Sequence, residues 1–279
     1  MVRQPAEIFG YSWQSNTAVA KKYRKKHLCP FIEEKCVKQS RLVNYPGGVC
    51  SVEYDNDVLA LCPNRFLQNN VVFRDIALNY FKSIDNLVVF HEVKLDKFGS
   101  FDYVMAKHEP MSCKIVDFVI IEIQGYQTTA TGGLIEGLKE AMNGTINGKK
   151  SYKFGLNHYD IVKRTLIQML HKGKVMEVWK QKIFWVIQDS LYHEFTRRYN
   201  LGTLEYSPSD YTNFVIYDLV PDTDYYNLQL KEFKSIGIDA LFDAFKNNFD
   251  VPSKDAFVKK LHDKLELKMQ IKMNIINKG

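Results

Sequence analysis

The segments FDYVMA (Phe101–Ala106) and IVDFVIIEIQ (Ile115–Gln124) are rich in β-branched and aromatic residues and read as strands. Between them, KHEPMSCK (Lys107–Lys114) carries a proline and several polar residues, so the spacing predicts an antiparallel hairpin turning near Ser112. That register sets Asp102, on the outgoing strand, beside Glu122 on the returning one. Alternation then puts Ile120, Glu122 and Gln124 on one face, with Val119, Ile121 and Ile123 on the other. Two carboxylates and an amide at one end of a sheet suit Mg²⁺, which takes oxygen ligands and keeps several waters. Most acidic residues at strand ends are simply solvated. Glu122 differs in closing the apolar run VDFVII, where a desolvated carboxylate calls for a compensating cation.

Outward from the hairpin, strand and helix patterns alternate. NLVVFHEVKL (Asn86–Leu95), IFWVIQ (Ile183–Gln188) and FVIYDLV (Phe214–Val220) read as strands. VVFRDIALNYFKSI (Val71–Ile84) reads as a helix with Val72, Ile76, Leu78 and Tyr80 as apolar positions. HYDIVKRTLIQMLHKG (His158–Gly173) reads as another, with Tyr159, Val162, Leu166, Met169 and Leu170 on one side and Lys163, Arg164 and Lys172 elsewhere. A closing helix is expected over Ser253–Met273, with Ser253 as its N-cap. The class is α/β.

Five cysteines occur, and four of them, Cys29, Cys36, Cys50 and Cys62, fall in the N-terminal quarter at spacings x₆, x₁₃ and x₁₁. No secretory signal and no apolar run of membrane length is visible, so a reducing cytosol is the expected setting. Disulfides are disfavoured there, which leaves a tetrahedral thiolate site or ordinary small core residues as the two readings. Cys113, in the hairpin turn, reads as a bystander. The histidines are scattered, and His91, His108, His158, His171 and His193 read as surface or packing residues. With 279 residues, 46% hydrophobic, the chain can bury one substantial core plus a small subdomain. A net charge of +6 suits a polyanionic partner without requiring one. KKYRKKH (Lys21–His27) concentrates that charge directly before the first cysteine; it reads either as a solvated face or as a phosphate contact.

In order, CPF (Cys29–Phe31), KCVKQSR (Lys35–Arg41), GVCSV (Gly48–Val52), CPNR (Cys62–Arg65), FDY, IIEIQ, VKRTLIQML (Val162–Leu170) and FVIYDLVPDTD (Phe214–Asp224) resemble the restriction endonuclease NotI family. The resemblance departs over GYQTTATGGLIEGLKEAMNGTINGKK (Gly125–Lys150), so no target sequence carries over. It implies a PD-(D/E)xK restriction-endonuclease-like core, a mixed sheet flanked by helices, with a small N-terminal metal-binding subdomain. Residues 1–26 would form a basic arm, 27–68 the four-cysteine subdomain and 69–279 the nuclease core. Asp102 and Glu122 would hold catalytic Mg²⁺ with a carbonyl near Ile123, and Glu92 would be the additional upstream acid. Gln124 stands where most of the superfamily has lysine. Cys29, Cys36, Cys50 and Cys62 would hold structural iron or zinc.

These expectations converge on a Mg²⁺-dependent type II restriction endonuclease acting on double-stranded DNA. A two-fold homodimer on a palindrome would cut both strands, since one site per chain cuts one. A cognate DNA methyltransferase and a bacterial cytoplasm complete the expectation, with no membrane partner. Neutral Gln124 cannot act as a base, but its amide oxygen could accept a hydrogen bond from the attacking water. The alternatives are a repair or mobile-element nuclease and a catalytically silent DNA-binding protein on the same scaffold.

Overall fold

The computed structural model describes residues 2–96, 98–148, 150–247 and 253–266. Its N-terminal part is a sheet of short antiparallel strands, ordered β2-β1-β5-β6, from β1 (Arg3–Ile8), β2 (Tyr11–Ser12), β5 (Val49–Tyr54) and β6 (Asp57–Ala60). Two tight turns make this possible. Phe9 and Gly10 (φ 51° and 79°) join β1 to β2, and Asp55 and Asn56 (φ 53° and 85°) join β5 to β6. Positive φ at both central residues gives the twist that two-residue hairpins need. Between the hairpins lie helix α1 (Ala18–Lys26), capped by Thr17 Oγ1 accepting from Ala20 N–H, and a small ladder of β3 (Leu28–Cys29) and β4 (Glu34–Lys35). Residues 3–8 are therefore not an arm. PAEI packs Pro5, Ala6 and Ile8 into a sheet interior, and β1 lies between two other strands.

A 3₁₀ segment (Pro63–Asn70) and helix α2 (Val71–Tyr80) lead into the main sheet. Its strands are β7 (Leu87–Leu95), β8 (Gly99–His108), β9 (Ile115–Gln124), β12 (Lys182–Gln188), β13 (Thr212–Pro221) and β14 (Tyr226–Ile236), in the order β14-β13-β12-β9-β8-β7. β9, β12 and β13 run parallel, and the other pairs are antiparallel. Ile183 to Ile187 have no measurable exposure, which is why β12 reads as an unbroken apolar run rather than an alternating one. The parallel step from β9 to β12 needs a long crossover. It is filled by α3 (Gly132–Asn143), bracketed by the ladder β10 (Thr128–Thr129) and β11 (Gly155–Leu156), and by α4 (His158–Trp179). Helices α5 (Asp189–Arg198), α6 (Ile238–Lys246) and α7 (Lys254–Glu266) complete the described chain.

The two faces of β9 separate as its alternation predicts. Ile120 joins a core with Trp185, Phe214, Leu166 and Met169 of α4, and Phe195 of α5. Val119, Ile121 and Ile123 join a second core with Phe184, Val215 and Val72 and Ile76 of α2. The first core also contains Ile8, Phe9 and Trp13, so the N-terminal sheet shares its interior with the main one.

Two boundaries differ from the sequence reading: α2 stops at Tyr80 and α4 runs on to Trp179. Of the closing helix, Lys254–Glu266 are described. Ser253 caps that helix by accepting from Ala256 N–H, and the expected remainder to Met273 lies outside the described residues. On α4 Val162, Leu166 and Met169 are buried as expected, but Tyr159 is 57% exposed and Lys172 is buried. Among the described residues no helix is long and apolar enough to cross a membrane.

Candidate functional site

The hairpin register pairs Tyr103 with Ile121, so Asp102 stands across from Glu122. Here the strands part, and a side chain replaces the ladder bond: Ile123 N–H donates to Asp102 Oδ2 at 2.8 Å. That fixes the Asp102 carboxylate and leaves Oδ1 to other partners. Glu122 is only 2% exposed, and its charge is met from helix α4. Lys172 Nζ donates to Glu122 Oε1 at 2.6 Å and to the Ser100 carbonyl at 2.9 Å, with its ammonium 5.4 Å above the Phe101 ring. Burial, and then the Asp102 charge, push the Glu122 carboxyl up to about 7, against the opposing pull of Lys172.

Beside Lys172, Gly173 lets α4 pack closely on α6 and the start of β13. A Cβ at that position would run into Ile238 Cδ1 and the Thr212 hydroxyl. Two turns earlier on the same face, Thr165 Oγ1 donates to Gln124 Oε1 at 3.1 Å. That bond uses one of the two lone pairs on the amide oxygen, so Gln124 can still accept from a water and also offers its NH₂ donors.

These groups line a cleft of about 320 Å³. One wall is Ser100 and Asp102 of β8 with Glu122 to Gln127 of β9 and the turn after it; a second is Arg164, Gln168 and Lys172, spaced four residues apart along α4. The third comes from the N-terminal unit, through Leu61 and Pro63. Tyr126 N–H donates to the Ala60 carbonyl at 2.7 Å and holds that wall against the end of β9. For a divalent cation the cleft offers carboxylate oxygens of Asp102 and Glu122 with space for waters and phosphate. This hard-oxygen set fits Mg²⁺, which commonly uses only one or two protein carboxylates.

Glu92 is placed otherwise. It sits on β7, one strand beyond Asp102, at φ 50°, exposed and outside the cleft lining. Its left-handed backbone interrupts the pairing between His91–Tyr103 and Val93–Phe101, at the level of Asp102 on the neighbouring strand.

The four N-terminal cysteines do gather. Cys29 feels the charges of Cys62 and Cys36, Cys50 those of Cys62 and Cys29, and Cys62 that of Cys36. All are free, and burial is the main cause that raises the Cys29, Cys50 and Cys62 thiols above their ordinary range. Among the described residues no three His, Cys, Asp or Glu side chains are arranged to hold a metal ion. Proximity is thus present without the closed coordination that a bound ion would impose. Cys62 sits between Leu61 and Pro63 of the cleft wall.

The basic run divides between two jobs. Arg24 is buried and donates to the carbonyls of Ser12, Trp13 and Ser15 at 2.7, 2.9 and 2.8 Å. Lys21, Lys22, Lys25 and Lys26 are exposed on one face of α1.

Sequence reasoning missed Lys172. Its only signal was a lysine spaced at i+7 from Thr165 on an otherwise apolar helix face, which a strictly apolar periodicity discards. No curated protein sequence matches the chain. The family model described as Restriction endonuclease NotI matches residues 14–230, which include the thiols, both carboxylates, Gln124 and Lys172. A match over so much of the chain, containing every group that meets in the cleft, shows that this protein belongs to the NotI restriction endonuclease family.

Proposed function

We propose that the chain is a Mg²⁺-dependent type II restriction endonuclease with a PD-(D/E)xK core, hydrolysing both strands of double-stranded DNA at a short palindrome. The observation that carries this is the meeting of Asp102, Glu122 and Lys172 in an open polar cleft at the end of β9. Asp102 and Glu122 hold the metal, with the Ile123 carbonyl beside them. When bound, Mg²⁺ supplies a water of lowered pKa and relieves charge on the nonbridging phosphate oxygens. Gln124 orients through its amide and takes no proton. Asp102, pinned by Ile123 N–H, keeps its ligand oxygen in place without a shift of the strand. One cleft per chain cuts one strand, so the acting form is a two-fold pair of chains. A methyltransferase that protects the same site, and a bacterial cytoplasm, go with this function.

The four thiols are proposed to close on one structural iron or zinc, since four protein ligands leave no open position for chemistry. Their spacing and mutual proximity support the reading. Elemental analysis of purified protein tests it: about one iron or zinc per chain is expected, and none in stable, active protein refutes it.

Digestion of unmethylated phage DNA in Mg²⁺ tests the activity. Discrete bands are expected; a smear would mean a nonspecific repair or mobile-element nuclease, and specific binding without cutting would mean a silent DNA-binding protein. Asp102→Ala and Glu122→Ala should each cost several kcal/mol of transition-state stabilisation, about 10³-fold or more in rate, with binding retained in Ca²⁺. Either variant cutting at the wild-type rate would remove the hairpin from the mechanism.

A further inference from the structure

Lysine is seldom buried, because taking an ammonium from water is costly unless it is paired. Lys172 is 7% exposed, in a helix face otherwise made of Ile161, Val162, Leu166, Met169 and Met176. A leucine or methionine would pack that position without the cost. The fold nevertheless brings the ammonium to the cleft, where Thr165, two turns earlier on α4, also reaches Gln124.

We propose that Lys172 is a catalytic residue: α4 delivers to the end of β9 the ammonium that the strand itself lacks at Gln124. The inference rests on the nuclease reading above. An ammonium has three N–H donors, and two are committed here, to Glu122 Oε1 and the Ser100 carbonyl. The third is left for a phosphate oxygen or the attacking water, in a cleft whose floor is Asp102 and Glu122. A role only as the counter-ion of Glu122 would become redundant once a divalent cation met that charge. The third donor would not. Gln168 and Arg164, one and two turns before Lys172 on the same wall, extend the donor line along the direction a DNA backbone would follow.

The experiment compares wild type, Lys172→Met and the double variant Lys172→Met with Gln124→Lys. Three quantities are read: single-turnover cleavage at saturating Mg²⁺, specific DNA binding in Ca²⁺, and thermal melting without metal. Lys172→Met should melt cooperatively and bind DNA within about threefold of wild type, while its saturated rate falls about 10²–10⁴-fold, the usual worth of a positioned proton-transfer or donor group. Returning the ammonium from the strand side should recover at least about tenfold of that loss. A Lys172→Met rate that reaches the wild-type plateau once Mg²⁺ is saturating would overturn the proposal, reducing Lys172 to a counter-ion. A folded, DNA-binding double variant with no recovery would also overturn it, because the two positions would then not serve the same reacting atoms. If Lys172→Met does not fold, Lys172→Gln takes its place under the same criteria. Wild type that fails to cut any DNA in Mg²⁺ would sink the nuclease reading itself, a result distinct from both.

Discussion

Among the described residues two acid–cation pairs are buried, and only one of them is sealed from ligands. Glu7 and Arg65 have no measurable exposure. Arg65 Nε donates to Glu7 Oε2 at 2.7 Å, Ser51 Oγ donates to the same oxygen at 2.7 Å, and the remaining guanidinium donors reach Gln68 Oε1 and the Tyr226 carbonyl. The Phe31 ring covers the guanidinium at 4.8 Å. Glu122 and Lys172 are almost as buried, yet they open onto a cleft with one lysine donor and one carboxylate oxygen uncommitted. The first pair locks the N-terminal unit to β14 at Tyr226. The second has unfilled valence where a ligand can reach it. Each pair keeps a carboxylate oxygen without a partner, but Glu7 Oε1 is sealed in the interior, so access, more than burial or completeness of bonding, separates a fastening from a site.

The largest expected effect breaks the sealed pair. Arg65→Met should destabilise by about 3–5 kcal/mol, because it leaves the Glu7 charge buried and unpaired. Adding Glu7→Leu should recover most of that loss, since an apolar replacement of a whole buried pair is often neutral or stabilising. Urea unfolding of the single and double variants measures both. Cleavage per folded molecule should stay near wild type in each, as neither residue lines the cleft. A single variant as stable as wild type would show that Arg65 is not a fastening.

A smaller effect separates the pairs by pH. In metal-free protein the Glu122 carboxyl titrates near 7, above the ordinary 4.5, chiefly through burial. A folded-state value raised above the unfolded one stabilises fully below about 4.5, and this stability is lost as pH rises through about 7. For a shift of this size the change is on the order of 3 kcal/mol. Glu122→Gln removes the titration, so relative to wild type it should look better at pH 8 than at pH 5. Urea midpoints at the two pH values, without metal, give the comparison. An equal offset at both would mean that Glu122 is ionised throughout, as firmly held as the sealed pair.

The hairpin was legible because two local rules, strand alternation and a polar Pro-containing turn, both fixed the Asp102–Glu122 register. The strands Ile183–Gln188 and Phe214–Val220 were legible from their unbroken apolar runs. Lys172 was not, because its meaning lies 50 residues away on Glu122 and no local pattern records that contact. The N-terminal sheet escaped for a related reason: β1 pairs with β5 across more than 40 residues, and its six residues include a glutamate that is buried only because Arg65 meets it. Glu92 was legible only as a position: its register falls at the level of Asp102, and no local pattern records the left-handed backbone beneath it.

The smallest effect concerns cations that act through their field alone. If the exposed face of α1 lies along DNA, each of Lys21, Lys22, Lys25 and Lys26 that meets a phosphate releases a counter-ion and contributes about 0.9 to the slope of log affinity against log salt. Changing all four to Gln should therefore flatten that slope by about 2–4, for cognate and unrelated DNA alike, since phosphate contacts carry no sequence information. Melting should barely move, because surface substitutions of this kind usually fall within about 0.5 kcal/mol. Arg24→Gln, in the same run, should do the reverse. Its guanidinium holds the Ser12, Trp13 and Ser15 carbonyls from inside, so stability falls while the salt slope stays. Binding titrations in Ca²⁺ over a range of salt, beside melting curves, read both variants. An unchanged slope in the four-lysine variant would take α1 off the DNA and leave its charge as a solvated face.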